Sequence, residues 1–365
     1  MNFFLRIVFF YGFVTLLQAC KSEEKGDVLT IPVNLDKEYP LVLSEITVKI
    51  ESIELEVTDE SLISRPSHVF YSSEYIIVSE LRAIMLFDNK GKFIRQIGSV
   101  GQGPHDFIGV GGIAVDFDSK RIFVFSDSDR KMICYDFNGN FIKKSPIGHY
   151  SGTYNSYINF LDNRILFYYE SFISVSEKSK NEKYLFFIDD DLLKSDSIII
   201  KSFAPRPIIE TGFSTIKVDY ITKEGDNTYL YYFAPFPANF VSDTLYLIKN
   251  NQLIPHLNVK FKNGGLKTDG SKAVTILNIF RSSRYVFTLY SHVSMRQFYY
   301  FCHDLQSGES YNMKDGFTDD VYTGEKVVIR PFANDANKFY YLHTNLKEDD
   351  FDEPNPTLYI GTLKQ

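Results

Sequence analysis

Beyond the first forty residues or so, apolar residues come in short runs. No long segment carries the i, i+3, i+4, i+7 spacing of an amphipathic helix. Runs such as Tyr75-Ile76-Ile77-Val78, Ile84-Met85-Leu86-Phe87 and Ile122-Phe123-Val124-Phe125 are rich in β-branched and aromatic residues, and Gly, Asn, Asp and Ser separate them. Such runs bounded by turn residues predict strands and tight turns. The pattern specifies an all-β chain.

The strands repeat. Ile84 to Ile94 reads like Ile133 to Ile142: an apolar strand, an Asp, an Asn-Lys-Gly or Asn-Gly turn, and a second strand opening on Phe. Asp88 to Asp136, Gly91 to Gly139 and Phe93 to Phe141 are each 48 residues apart. The glycines supply the positive φ that hairpin turns require. Looser copies turn at Asp189-Asp190-Asp191, at Asn250-Asn251 and at Gln306-Ser307-Gly308, and Thr357 to Leu363 is a last strand with nothing after it. A further strand precedes each: Tyr75–Val78, Arg121–Phe125, Arg164–Tyr169, Tyr229–Phe233, Tyr285–Tyr290 and Lys338–Leu342. Six such units, at spacings from the upper forties to about sixty residues, predict a six-bladed β-propeller of four-stranded antiparallel blades. The last unit lacks its outer strand, and a spare strand at Ile46–Val57 precedes the first. The N-terminal strand is therefore expected to complete the last blade, which removes open sheet edges. The alternatives are an open β-sandwich or two smaller β-domains.

Composition agrees. The chain has 365 residues with 33 Phe, 25 Tyr and no Trp. At 44% hydrophobic it is globular. A net charge of −7 without a long basic run excludes nucleic acid as a partner.

The N-terminus reads as a targeting segment. Arg6 is followed by an apolar stretch from Ile7 to Leu17, too short to span a bilayer as a helix. Leu17-Gln18-Ala19-Cys20 then resembles a lipobox, with Gln18 where a small residue is usual. The expected organisation is a lipoprotein signal peptide at 1–19, a tether lipidated at Cys20 over 20–40, and a single β-propeller domain at 41–365. The acidic stretch just after Cys20 looks like a surface-export signal of Gram-negative lipoproteins. Without Cys20, two cysteines remain, Cys134 and Cys302. The blade count puts them in blades two and five, on opposite sides of a six-fold ring. A disulfide needs Cα atoms within about 7 Å, so both are expected to be reduced and buried.

The segment Gly101-Gln102-Gly103-Pro104-His105-Asp106-Phe107, Gly112-Ile113-Ala114-Val115-Asp116, Arg121-Ile122-Phe123-Val124 and Tyr135 to Phe141 resembles an NHL-type propeller repeat. More closely, the chain is similar to the six-bladed β-propeller lipoproteins of Gram-negative, gut-type bacteria. His105 replaces the commoner Gly of that loop. The resemblance implies the fold and an outer-membrane, cell-envelope location exposed at the cell surface. It implies no reaction or substrate.

Candidate chemistry is sparse. In a meandering blade, the turn between the second and third strands emerges on the same face as the link to the next blade. That places Arg82, His105, Asp127 and Arg130 together as candidate ligand-face residues; the plainer reading is solvated loop residues with turn roles. The seven histidines form no HxH or HxxxH pair, and there is no CxxC, so no metal site and no cofactor is expected. Asp127-Ser128-Asp129 and Asp349-Asp350-Phe351-Asp352-Glu353 match no calcium loop and read as acidic turns. There is no GxSxG elbow or P-loop, and the glycines from Gly98 to Gly103 are not followed by the helix a dinucleotide loop needs. The expected function is a non-catalytic binding or protein-interaction module, held at the membrane through Cys20, for a glycan, a peptide or an envelope partner. The alternative is an extracellular hydrolase or lyase acting on polysaccharide or peptide.

Overall fold

The computed structural model describes residues 28–34, 39–147, 153–175, 178–204, 219–234, 238, 240–292, 297–344 and 354–365. Six four-stranded antiparallel blades form a β-propeller. Blade one is His68–Tyr71, Tyr75–Ser79, Ile84–Asp88 and Phe93–Gln96, counted from the axis outward. Blade two is Gly112–Asp116, Arg121–Ser126, Lys131–Asp136 and Phe141–Pro146, and blade three is Thr153–Leu161, Arg164–Val175, Lys178–Ile188 and Lys194–Phe203. Blade four is Ile221–Glu224, Asn227–Leu230, Thr244–Lys249 and Gln252–Phe261. Blade five is Val274–Arg281, Tyr285–His292, Phe298–Asp304 and Ser310–Lys314. Blade six takes three strands from the C-terminus, Arg330–Phe332, Asp335–His343 and Thr357–Leu363, and its outer strand, Thr47–Glu54, from near the N-terminus.

The apolar runs are explained by burial on both faces of each blade. Ile76, Val78, Met85 and Phe87 pack against Phe332, Tyr340, Leu358 and Ile360 of blade six. Their neighbours Ile77, Ile84 and Leu86 pack against Ile113, Ile122, Val124 and Ile133 of blade two. Because side chains alternate along a strand, a strand between two blades must be apolar at every position. Similar apolar clusters fill the interfaces of blades two with three, three with four, four with five and five with six.

The turn glycines behave as their sequence context requires. Gly91 and Gly139 sit at φ +85 and +81. At Gly91 a side chain would also collide with the Glu54 carbonyl, 2.0 Å from where its Cβ would stand.

One segment departs from expectation. Leu29–Val33, assigned to the tether, is a fifth strand on blade four, parallel to the outer strand with Leu29 opposite Leu257 and Val33 opposite Phe261. Ile31 and Val33 are buried there. Tyr39 then bridges Asn312 on the outer strand of blade five, Val42 bridges Thr318, and one helical turn, Leu43–Ile46, leads into the closing strand. The N-terminal segment thus runs around three consecutive blades before it closes the ring, because the outer strands of blades four and five offer unpaired backbone groups. Residues 1–19, expected as a signal peptide, Cys20 and the acidic run at 349–353 lie outside the described residues.

Candidate functional site

The link from blade one to blade two is stitched to the turns beside it. Val110 N–H donates to the Leu81 carbonyl (2.8 Å), Gly111 N–H to the Phe125 carbonyl (2.9 Å) and Ile108 N–H to Ser126 Oγ (3.1 Å). Gly111 lacks a Cβ because one would stand 2.8 Å from the Cβ of Asp127. Arg82 is exposed on the turn of blade one, and Asp127 and Arg130 lie half-buried on the turn of blade two, Arg130 at φ +55. His105 is carried elsewhere. Its ring stacks on Phe141 of the outermost strand of blade two, centroids 4.1 Å apart and planes within 6°. Its carbonyl accepts the Tyr135 hydroxyl at 2.6 Å. The structure therefore brings Arg82, Asp127 and Arg130 to adjoining turns and sets His105 at the outer rim.

A second set of residues converges at the axis. Arg330 opens the innermost strand of blade six. Its Nε and Nη2 donate to the two carboxylate oxygens of Asp219, at 3.0 and 2.8 Å, and its Nη1 donates to the Ser67 carbonyl at 2.8 Å. Asp219 just precedes blade four and Ser67 just precedes blade one, so one guanidinium ties together the starts of three innermost strands. The planar fork of arginine suits this bidentate grip. The side chains are 18% and 6% exposed. Burial opposes the charge of Arg330, but Asp219 beside it more than offsets that and raises its pKa above the ordinary arginine value. Nearby, Lys223 N–H of blade four donates to the Ala333 carbonyl of blade six at 2.8 Å. Blades four and six thus meet although blade five lies between them.

Beside this contact lies a cavity of about 270 Å³, bounded by Asp219 and Arg330, by Asn278, Leu289, Phe298 and Tyr300 of blade five, by Val328 and Ile329 of the next link, and by Pro331 of the innermost strand of blade six. Tyr300 is committed, its hydroxyl donating to the Ile329 carbonyl at 2.6 Å. Asn278 is 6% exposed, and its Oδ1 has no hydrogen-bond partner among the described residues. Its direction comes from a β-bulge. The pairing of the innermost strand of blade five with its neighbour slips between Ile276 and Asn278. Ile276 and Ile279 accordingly pack toward blade four, Leu277 and Phe280 toward blade six. Two successive residues, Leu277 and Asn278, are thereby turned to the blade-six side, as bulges permit. The usual signature of a ligand pocket is apolar walls with a few convergent polar groups, and this cavity has it.

A larger groove of about 460 Å³ lies between blades one and two on the opposite face, lined among others by Tyr75, Arg95, Lys120 and Phe137. Its cations are engaged: Arg95 with the Asn138 carbonyl, Lys120 with Glu74 and the Tyr75 hydroxyl.

Elsewhere, Lys183 and Glu170 of blade three form an ion pair at 2.7 Å with side chains 0% and 3% exposed. Lys272, also buried, donates to the Ala234 carbonyl at 2.9 Å. Burial, with the Lys183 charge adding to it, lowers the Lys272 ammonium to about 7. Among the described residues no three His, Cys, Asp or Glu side chains are placed to hold a metal ion. Cys134 and Cys302 are free and buried, in the third strands of blades two and five.

None of Asp219, Asn278 and Arg330 stood out in the sequence. The one available signal was Asn278, an amide inside the otherwise nearly apolar run Val274 to Phe280.

The family model described as Domain of unknown function (DUF4934) matches residues 27–359. The chain belongs to that family. The DUF4934 chain is similar to the crystal structure of a protein classed as exported from Bacteroides fragilis NCTC 9343, with a TM-score of 0.59 and 14% identity over 93% of this chain and 100% of that one. It is also similar to a member of the DUF4221 family from Bacteroides vulgatus ATCC 8482, with a TM-score of 0.49 and 16% identity over 90% of this chain and 98% of that one. No curated protein matches it.

Proposed function

We propose that this DUF4934 propeller is a non-catalytic binding module of the cell envelope, with its ligand seat in the axial cavity between blades five and six. The observation that carries the reading is Asn278, an amide buried in an apolar cavity with its oxygen unpartnered among the described residues. Leaving a buried acceptor unpaired costs free energy, and a ligand donor would remove that cost. The alternative, a hydrolase or lyase, is served less well. Glycoside hydrolysis ordinarily uses two carboxyl groups across the scissile bond; the cavity lining has one, Asp219, with both oxygens held by Arg330. Arg82, Asp127 and Arg130 sit on turns between second and third strands, the blade end at which Phe298 and Val328 line the cavity, and belong to the proposal as an outer contact zone.

An envelope location is supported by the lipobox-like Leu17-Gln18-Ala19-Cys20 and by the exported class of the Bacteroides fragilis neighbour. Lipid anchoring at Cys20 is tested by membrane fractionation of the Cys20→Ala variant, which should move to the soluble fraction; retention in the membrane refutes it. The seat is tested by thermal shift of the protein against libraries of envelope glycans and peptides. Binding should occur and weaken in Asn278→Leu at unchanged fold. Turnover of any bound compound would refute the non-catalytic reading.

A further inference from the structure

Resting on that reading, the cavity also indicates what it takes. We infer that the axial cavity receives a single neutral sugar ring, seated with an apolar face on the wall formed by Phe298 and with a hydroxyl group donating to Asn278 Oδ1.

Size comes first. Pockets for drug-sized ligands run to roughly 300–1,000 Å³, and at about 270 Å³ this one holds one ring and not a folded segment. Charge comes second. Arg330 and Asp219 neutralise each other, and every other lining side chain is uncharged. A charged ligand would bring an uncompensated charge out of water, which is costly. Polarity decides between the remaining neutral ligands. The walls, Leu289, Phe298, Val328, Ile329 and Pro331, are apolar, and Phe298 is half-buried, with part of its surface open. Set into them are one acceptor without a partner among the described residues, Asn278 Oδ1, and a guanidinium of which three N–H groups are engaged among the described residues. An apolar amino-acid side chain would cover the walls but leave Asn278 unpaired. A sugar ring offers both an apolar face of C–H groups and hydroxyls that donate and accept. It is the neutral ligand class that satisfies all of these groups together.

The test is calorimetric titration of the purified protein with maltotriose, cellotriose, xylotriose, mannotriose and chitotriose. Trigalacturonate and sialyllactose serve as charged counterparts and the tripeptide Ala-Leu-Phe as the apolar comparison. At least one neutral sugar should bind saturably, and its affinity should fall about tenfold in Asn278→Leu, the scale of one lost hydrogen bond in a buried site. Val328→Trp, at a position 41% exposed, should block the mouth without lowering the melting temperature, which covers the case in which Asn278→Leu folds poorly. Binding of the tripeptide or of a charged sugar alone, lost in both variants, would overturn the sugar inference and leave the cavity as a binding seat. Silence of every probe, or binding that neither variant alters, would overturn the sugar inference and the seat together.

Discussion

The Arg330 guanidinium holds the Asp219 carboxylate through two hydrogen bonds of 3.0 and 2.8 Å across 111 residues of sequence. The pair fastens blade six to blade four, and through the Ser67 carbonyl also to blade one. Removing one partner of a buried ion pair leaves an uncompensated charge and typically costs about 3–5 kcal/mol. Asp219→Asn should therefore destabilise the protein by that order in urea unfolding. The double variant Asp219→Leu/Arg330→Met should recover a good part of the loss. A single variant as stable as wild type would show that the pair does not hold the hub.

Lys272 makes stability depend on pH. Its ammonium is lowered from 10.5 to about 7 by burial and by Lys183. Below about pH 7 both folded and unfolded chains carry the proton, and the folded state bears the full cost of a buried charge. Between about 7 and 10.5 the unfolded chain binds more protons than the folded one, so stability rises with pH across that window. Comparing wild type with Lys272→Met by thermal melts at pH 6, 8 and 9.5, the difference should shift in favour of wild type as pH rises. A difference constant with pH would refute the assignment.

Gly361 sits in the strand that pairs with the closing N-terminal strand, opposite Ile50 on one side and Phe339 on the other. A Cβ there would stand 2.2 Å from the Phe339 ring, which is fully buried. Gly361→Ala should cost about 1–3 kcal/mol by overpacking, and Gly361→Ala/Phe339→Leu should regain some of it. Calorimetric melting of the three variants checks this.

Burial raises the Cys134 thiol to about 11, and that of Cys302 well above its ordinary value. Thiolate is the reactive form, so at pH 8 neither should react with a thiol reagent in the folded protein, and both should react in denaturant. Mass spectrometry of peptides alkylated under native and denaturing conditions reads this directly. A Cys134–Cys302 disulfide among non-reduced peptides would contradict the opposed blades.

The fold was legible because what specifies it is local. Turn residues and strand composition act over a few positions, so the hairpins at Asp88–Gly91, Asp136–Gly139, Asn250-Asn251 and Gln306–Gly308 are where the residues indicate. The recurrence of these hairpins then counts the blades. The unpaired last strand called for the N-terminal one, which pairs as Thr47–Glu54.

What tertiary structure alone decided lies in contacts between separate elements of the chain. Leu29–Val33 reads as tether because its partner, Leu257–Phe261, is set by where the chain passes around the rim. His105 reads as a ligand-face residue because the direction of its loop follows from Phe141 and Tyr135, on strands the sequence does not place beside it. Asn278 faces the cavity only because a one-residue bulge reverses the alternation of its strand, and a slip of one residue sends a side chain to the other face. Asp219 and Arg330 meet only because closure sets blades four and six side by side at the axis. A pattern of period two fixes which residues are strand. It carries no information on which strands, hundreds of residues apart, share an axis.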